Sequence, residues 1–359
     1  MPIEKESRQL HIGVLGCGPI AQIAHYDAIQ KARNAELYAI CDVADDLRLK
    51  MAAVWEPRQN YDNFAAMLGD DRVEAVIIAV ADQYHVALAS QAIAAGKHVL
   101  IEKPMGVGVE ECQQLQQLVR QTGLVLQVGT NRRFDPGVAF AKQFVDTELG
   151  QRMSFKSWYC DSTFRYAMTD NLQPIVHASK SARRPEGNPK TDRRRYYILG
   201  HASHLVDTAR YLGGEITSLK ARLLERCGAY CWFMDVEFAD GSLGHLDLTI
   251  AIRGDFEEGF MIHGEHGSVR GRLFLPWYHK SGVVECFSTK DRVYRRPLGE
   301  DAYSYKLQIE SFADCILHGT PQNGANIDDG LAAMRAMVAI ARSSESGERI
   351  RLCDVSGTV

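Results

Sequence analysis

The stretch from Leu10 to Ile29 constrains the fold more than any other. Leu10-His11-Ile12-Gly13-Val14-Leu15 is apolar and of strand length, and it runs without a break into Gly16-Cys17-Gly18-Pro19-Ile20-Ala21. Ile20, Ile23, Ala24, Ala28 and Ile29 then keep helical spacing. A strand, a Gly-x-Gly-x-x-Ala turn and a helix, in that order, form the phosphate-binding corner of a dinucleotide fold. The glycines permit a tight turn and close backbone approach, and small Ala21 lets the helix pack on the strand. The helix amino end then points free N–H groups at a pyrophosphate. Gly16, Cys17, Gly18, Pro19 and Ile20 are therefore the expected cofactor cradle. A tight turn with no ligand is the other reading, and the strand before and helix after weigh against it.

The next strand, Glu36 to Cys41, ends at Asp42, 26 residues after Gly16, near where the ribose-binding acid of this fold belongs. Its carboxylate would accept hydrogen bonds from the ribose hydroxyls and repel a 2′-phosphate, which favours NAD and leaves NADP as the alternative. Asp42 could instead cap the following helix, Ala44 to Val54. Phe64, Ala65, Met67 and Leu68 mark a short helix, and Val73 to Val80 a strand that opens into Ala81-Asp82-Gln83-Tyr84-His85. Ala81 and His85 are cofactor-binding candidates there. The helix Ala87 to Ala95 closes on Gly96-Lys97, read as its C-terminal cap. His98 to Ile101 then reads as a buried parallel strand, so Glu102 and Lys103 fall at the carboxyl edge of the sheet, where open α/β sheets bind ligands. An ionisable pair placed there is a catalytic candidate. A surface Glu and Lys at a strand end is the bland alternative, which the upstream phosphate turn makes less favoured. After a helix marked by Cys112, Leu115, Leu118 and Val119, a last strand, Leu124 to Val128, leads into Gly129-Thr130-Asn131-Arg132-Arg133-Phe134. These five apolar strands, with a sixth expected among them, alternate with helices through residue 130 and describe a doubly wound parallel sheet of the Rossmann type.

Beyond residue 130 the pattern changes. Phe140, Phe144 and Val145 suggest a helix, and Met153 to Tyr159 begins a strand. Residues 160–195 are polar and irregular and read as a long loop or lid. A helix over Tyr196 to Leu212 precedes alternating strands around 216–226, 230–239, 242–250, 256–263, 266–274 and 282–288. Two closing helices carry the core stripes Tyr305, Ile309, Phe312, Ile316 and Leu331, Met334, Met337, Val338. The fold class is therefore α/β, with an NAD(P)-binding Rossmann domain at 1–130. Residues 131–359 form a second domain around a large, mostly antiparallel sheet, for which the resemblance given next implies substrate binding and oligomerisation. At 359 residues and 46% hydrophobic, the chain has apolar surface for a core in each. A net charge of -4 points to neither nucleic acid nor an anionic membrane. Nine scattered cysteines without a Cys-x-x-Cys pair fit a reducing cytoplasm rather than a disulfide framework or a thiolate zinc site. The amino terminus has no apolar core of signal-peptide length, and the longest apolar run, Ala75 to Ala81, is too short to span a bilayer.

Three strings, Gly16 to Ala21, Ala94-Ala95-Gly96-Lys97-His98-Val99-Leu100-Ile101-Glu102-Lys103-Pro104, and Asn131-Arg132-Arg133-Phe134-Asp135-Pro136, resemble the glucose-fructose oxidoreductase, inositol dehydrogenase and rhizopine-catabolism (Gfo/Idh/MocA) oxidoreductases. The resemblance continues through Phe238 to Ser242, Gly264 to Ser268 and the terminal helices, and so covers nearly the whole chain. It implies a Lys103–Pro104 peptide that is often cis, and a homodimer or homotetramer formed through the open face of the second sheet. Gly200-His201-Ala202-Ser203-His204-Leu205-Val206-Asp207 resembles the family's Asp-x-x-x-His-x-x-Asp segment, whose Asp and His line the substrate pocket. His204 and Asp207 match, while Gly200 stands where the family has Asp. His201 is the nearest replacement, and 201, 204 and 207 lie three apart on one helical face. Asn131 and Arg132 would contact substrate, and Arg132 also cofactor; Arg133 suits a structural ion pair.

Hydride transfer from a secondary alcohol needs a base for the hydroxyl proton. Lys103 fits if partial burial and the positive nicotinamide lower its pKa, with His204 holding a hydroxyl and relaying the proton and Glu102 fixing orientation. The resemblance thus implies an NAD-dependent dehydrogenase of a sugar, sugar acid, cyclitol or related polyol. A second reading is an NAD-using glycosidase or lyase that oxidises a sugar transiently, and a third is a non-enzymatic regulator. No metal is expected, although His201, His204 and Asp207 have spacing that could hold one. Lys180 to Arg195 has seven basic residues against two acidic ones in 16 positions. It is either a solvated loop, a recognition element for an anionic substrate near the pocket mouth, or a segment crossing an oligomer interface.

Overall fold

The computed structural model describes residues 8–164, 176–182, 191–299 and 302–359. Its first sheet contains β1 (Leu10–Leu15), β2 (Ala35–Cys41), β3 (Gln59–Tyr61), β4 (Ala75–Ile78), β5 (His98–Ile101) and β6 (Leu126–Val128), in the order β3-β2-β1-β4-β5-β6. Every pair is parallel. Strands covered on both faces must be apolar throughout, which is why β1, β2, β4 and β5 stand out in the sequence. The expectation of six apolar strands fails at β3. Gln-Asn-Tyr sits at the sheet's edge, where backbone pairing to β2 is its main task and one flank meets solvent.

The connections are α1 (Tyr26–Lys31), α2 (Asp45–Trp55), α3 (Phe64–Leu68), α4 (His85–Ala94) and α5 (Val109–Thr122). A π-helical turn, Ala21–His25, precedes α1. Gly96 follows the end of α4 in the left-handed region (φ +77), as a helix-terminating glycine should. Strand order reverses between β1 and β4, and the carboxyl ends of β1, β4 and β5 open onto one crevice. The segments leaving these strands are laced together: Ala79 N–H donates to Leu15 O, and Glu102 N–H to Ile78 O.

The second sheet has nine strands: β7 (Arg152–Ser162), β8 (Ile216–Arg226), β9 (Ala229–Phe238), β10 (Leu243–Ile252), β11 (Glu257–Gly264), β12 (Gly267–Leu273), β13 (Val283–Ser288), β14 (Val293–Arg295) and β15 (Ile350–Arg351). Their order is β14-β13-β12-β11-β7-β10-β9-β8-β15. Neighbours are antiparallel except β7 with β10. Alternation sorts the faces. Trp232, Met234, Val236 and Phe238 of β9 are buried, while Phe233 and Asp235 between them are exposed. The inner face is covered by α6 (Pro136–Thr147), α8 (Ser203–Gly213) and α10 (Ile327–Ser346); a short α7 (Arg193–Tyr197) and a π-helical turn, Ile198–Ala202, lead into α8.

The chain then returns to the first sheet. In α9 (Ser304–His318), Tyr305, Ile309, Phe312 and Ala313 join the same core as Leu10, Ile12, Val14 and Ile29. Tyr303 Oη donates to Ala24 O, and Val128 N–H donates to Ala325 O beyond the edge of the first sheet. A cut at residue 130 follows the change of sheet but not the contacts of this core. Among the described residues no helix is long and apolar enough to cross a membrane.

Candidate active site

The phosphate turn has the geometry a dinucleotide requires. Gly16 is held at φ +100, and a Cβ there would lie 2.4 Å from the Ala79 carbonyl oxygen. A Cβ on Gly18 would meet nothing within 4 Å and so would stand in open space. One oxygen of Asp42 accepts from Cys17 N–H (2.7 Å) and the other from Ala44 N–H (2.8 Å). Asp42 thus ties the turn to Ala44, the residue before α2, while that helix has no side-chain cap. Burial pushes the Cys17 thiol up to about 12, so this residue serves the cradle through its backbone. Gly16, Cys17, Gly18, Pro19, Ile20 and Asp42 therefore fit the adenosine diphosphate half of NAD.

Lys103 lies in a pocket of about 200 Å³. From the first domain, Ile20, His85, Glu102 and Lys103 line it; from the second come Asn131, Arg132 and His204. The Lys103–Pro104 peptide is cis. Lys103 Nζ donates to the Gly200 carbonyl at 3.3 Å, so at the position of the family's carboxylate a backbone oxygen faces the lysine. His85 braces the same segment, with Nδ1 2.7 Å from Pro104 O and Nε2 3.2 Å from Val80 O.

Glu102 is buried directly behind the lysine. Its Oε1 is 2.9 Å from His25 Nε2, and its Oε2 accepts from Lys103 N–H at 3.1 Å. Burial raises the Glu102 carboxyl. The His25 hydrogen bond and electrostatic attraction to His25, Lys103 and His85 outweigh that and hold it below its usual value. Both Glu102 oxygens are thus engaged, one with His25 and one with the Lys103 backbone. His25 was not expected. Its one sequence cue is a polar residue on the apolar stripe of Ile20, Ala24, Ala28 and Ile29.

The π turn changes the expected face of His201, His204 and Asp207. His204 enters the pocket with its ring parallel to that of Tyr159 (centroids 5.7 Å, 2°). His201 does not line the pocket. It turns to Asp161 (Nε2 to Oδ2 3.1 Å), edge-on to Tyr159, Tyr196 and Tyr197. Asp207 is engaged by Arg133, which also donates to Asp329 and lies over Tyr211. Among the described residues no group of His, Cys, Asp or Glu is placed to hold a metal.

Arg132 borders the pocket, with its guanidinium paired in the fork of Glu258 and donating to Phe274 O (2.8 Å). Ala81 also lies outside the lining, whereas Val80 and Asp82 beside it are within. Tyr159, Pro276, Trp277 and Tyr305 were not anticipated. Trp277 stacks on Tyr305 (5.8 Å, 13°), giving the pocket an aromatic wall.

The basic run divides. Arg183, Arg184 and Lys190 lie outside the described residues. Lys180 donates its backbone N–H to Asp46, Arg194 pairs with Glu225, and Arg195 borders a separate groove with Glu225 and Trp232. Arg194 and Arg195 therefore do not converge on Lys103. Hydroxyls of Ser181 and Ser179 and the Lys180 N–H hold the Asp46 carboxyl well below the usual range.

Comparison with known proteins agrees with the geometry. Residues 10–130 match the profile of the Gfo/Idh/MocA oxidoreductase family described as an NAD-binding Rossmann fold, and residues 197–352 match the family's C-terminal alpha/beta domain. The inositol 2-dehydrogenase of Rubrobacter xylanophilus is 23% identical over 95% of this chain and 93% of its own. The scyllo-inositol 2-dehydrogenase (NAD(+)) of Bacillus subtilis is 24% identical over 96% of each. A solved levoglucosan dehydrogenase in complex with NADH shares the fold, with a TM-score of 0.75 and 20% identity over 96% of this chain and 99% of that one. With the glycine cradle, the Glu102-Lys103-Pro104 edge and both domain profiles in place, the chain belongs to the Gfo/Idh/MocA family of NAD-dependent oxidoreductases.

Proposed function

We propose that the protein oxidises a secondary alcohol of a small, neutral, cyclic polyol or sugar, with Lys103 as the acid/base. The observation that carries this reading is Lys103 Nζ held on the Gly200 carbonyl inside a small aromatic-walled pocket. Bound NAD supplies the hydride acceptor. Lys103 takes the hydroxyl proton as the carbon gives up its hydride, and returns it in the reverse direction. Glu102 and His85 keep the lysine's backbone in place. His204, stacked on Tyr159, holds a neighbouring hydroxyl; Asn131, whose amide donates to Ser304 Oγ, offers its oxygen to another. His201 is a positioning residue that steadies the Gly200 turn through Asp161.

The pocket favours a neutral ring over a sugar acid because Glu258 already cancels Arg132 and Asp82 adds negative charge. Its volume lies below the ~300–1,000 Å³ of drug-sized sites, which suits one ring. The inositol and levoglucosan dehydrogenases among its relatives support the same class. The test is a panel of cyclitols, sugars and uronates with NAD, repeated with Lys103→Met. Turnover should fall by about 10²–10⁴ while NADH binding persists. Wild-type turnover in Lys103→Met would refute the assignment.

One observation favours a second reading. With Gly200 in place of a carboxylate, the site also suits transient oxidation of a glycoside, bond cleavage and re-reduction on the same cofactor. Glycoside breakdown without net NADH would identify it. The exposed face of the second sheet, with Phe233 and His245 in contact across β9 and β10, suits a second copy of the chain; sedimentation as a monomer would exclude that assembly.

A further inference from the structure

The phosphate turn and α2 are bridged by a segment that belongs to neither. Gln22, buried on the helical turn after the cradle, donates from Nε2 to Cys17 O (2.8 Å) and to His177 O (3.0 Å), and its Oε1 accepts from His177 N–H (2.8 Å). Its amide thus pairs with the backbone of residue 177 as a neighbouring strand would. Further along, Asp46 accepts from Ser179 Oγ, Ser181 Oγ and Lys180 N–H, each at 2.7 Å. Ser179 Oγ also accepts from the N–H groups of Ser181 (3.0 Å) and Ala182 (2.8 Å), which folds the segment into a turn.

The two anchors stand on either side of the groove for adenosine diphosphate. Gln22 is bonded to the glycine turn after β1, and Asp46 lies in the first turn of α2, just beyond Asp42 at the end of β2. We infer that residues 177–181, supplied by the substrate-domain half of the chain, form a clasp across the dinucleotide groove, with Gln22 and Asp46 as the positioning residues that hold it shut. NAD enters and leaves only when the clasp lifts. The Asp46 end is exposed and opens more readily than the buried Gln22 end, so Gln22 acts as the hinge. This gating rests on NAD binding, which family membership gives, and not on the identity of the substrate.

The experiment is stopped-flow measurement of NADH association and dissociation, read from the fluorescence of bound NADH with no second substrate present. The variants are Ser179→Ala/Ser181→Ala, which strips the clasp, and Asp46→Asn, which weakens its anchor. Asp45→Asn is the control: Asp45 begins the same helix but pairs with Arg48. Melting temperatures show that all are folded. Association and dissociation should both accelerate about tenfold in the first two variants, as expected when hydrogen bonds that close a gate are removed, with the Kd changing less than either rate. Asp45→Asn should behave as wild type. Rates within about twofold of wild type in both test variants would overturn the inference. So would faster dissociation with unchanged association, because a static wall contact gives that result and a gate does not.

Discussion

The two cradle glycines should fail in different ways when each is replaced by alanine. A methyl on Gly18 meets no heavy atom within 4 Å, so Gly18→Ala folds without strain. By restricting the unfolded chain it should match or exceed wild-type stability by about 0.4–1 kcal/mol. The same methyl stands in open space on the glycine turn. If it pushes one phosphate oxygen off one N–H, the loss is that of a charged hydrogen bond, roughly 1.5–3 kcal/mol. That corresponds to a Kd for NADH raised about 10- to 150-fold. Gly16→Ala meets the opposite situation. Its φ of +100 costs an L-residue about 1–2 kcal/mol, and the new Cβ would sit 2.4 Å from Ala79 O and 2.9 Å from Ala79 C. Backbone atoms cannot swing aside, so β1 and β4 must separate where Ala79 N–H bonds Leu15 O. This variant should lose both several degrees of melting temperature and its cofactor. Thermal melts paired with NADH fluorescence titration separate the two. A Gly18→Ala protein that bound NADH within twofold of wild type, or a Gly16→Ala protein that melted at the wild-type temperature, would refute the geometry of the cradle.

Wild type should have a higher kcat/KM with NAD than with NADP, and Asp42→Ala should narrow the gap while weakening both, because Asp42 also ties Cys17 to Ala44; a wild-type preference for NADP would sink the carboxylate argument. Glu258→Gln should free the positive charge of Arg132 toward the pocket and lower the KM for uronates relative to neutral sugars; an unchanged ratio would mean that Arg132 does not address substrate. Arg133→Met leaves Asp207 buried without its guanidinium, a loss of about 3–5 kcal/mol, or about 4–7 °C for a 359-residue chain, by differential scanning calorimetry. Burial raises the Asp329 carboxyl, but Arg133 and Arg210 outweigh it and hold it low. Its contribution is therefore present above the ordinary carboxylate pKa of about 4 and lost as pH falls below that, so the deficit of Arg133→Met should shrink in acid. A deficit that grew on acidification would contradict the ion-pair assignment.

How much of this was legible in the sequence depended on burial. Strands enclosed on both faces, such as Val76 to Ile78 and Val99 to Ile101, have no freedom to be polar. The strands of the second sheet appear through alternation. Gln59–Tyr61 escaped because an edge strand is held by its backbone, which leaves no side-chain pattern. The cradle and the Glu102-Lys103 edge were readable because their chemistry is local. The placement of His201 and Asp207 was not, since it depends on the π turn at Ile198–Ala202, and a 3.6-residue period gives no warning of one. Glu258 and Asp161 did leave a cue. Each is a carboxylate at an inward position of its strand, between Phe256 and Phe260 or following Phe155 and Tyr159, and a charge there calls for a partner. Trp277 left none, because nothing local ties the turn between β12 and β13 to a pocket formed by residues far away in the chain.

The packing of α9 bears on how the protein is made. The nucleotide domain is synthesised first, yet part of its core, Tyr305, Ile309 and Phe312, and the Ala325 carbonyl at its sheet edge leave the ribosome only after β7 to β14. Until they arrive, the apolar surface around Ile12, Ile29 and Ala313's future seat faces water. The nascent domain must therefore wait through the synthesis of β7 to β14 with that flank uncovered. A release of the chain before Ser304 should yield a fragment that chaperones retain, and slowing translation after the first domain should promote aggregation rather than folding.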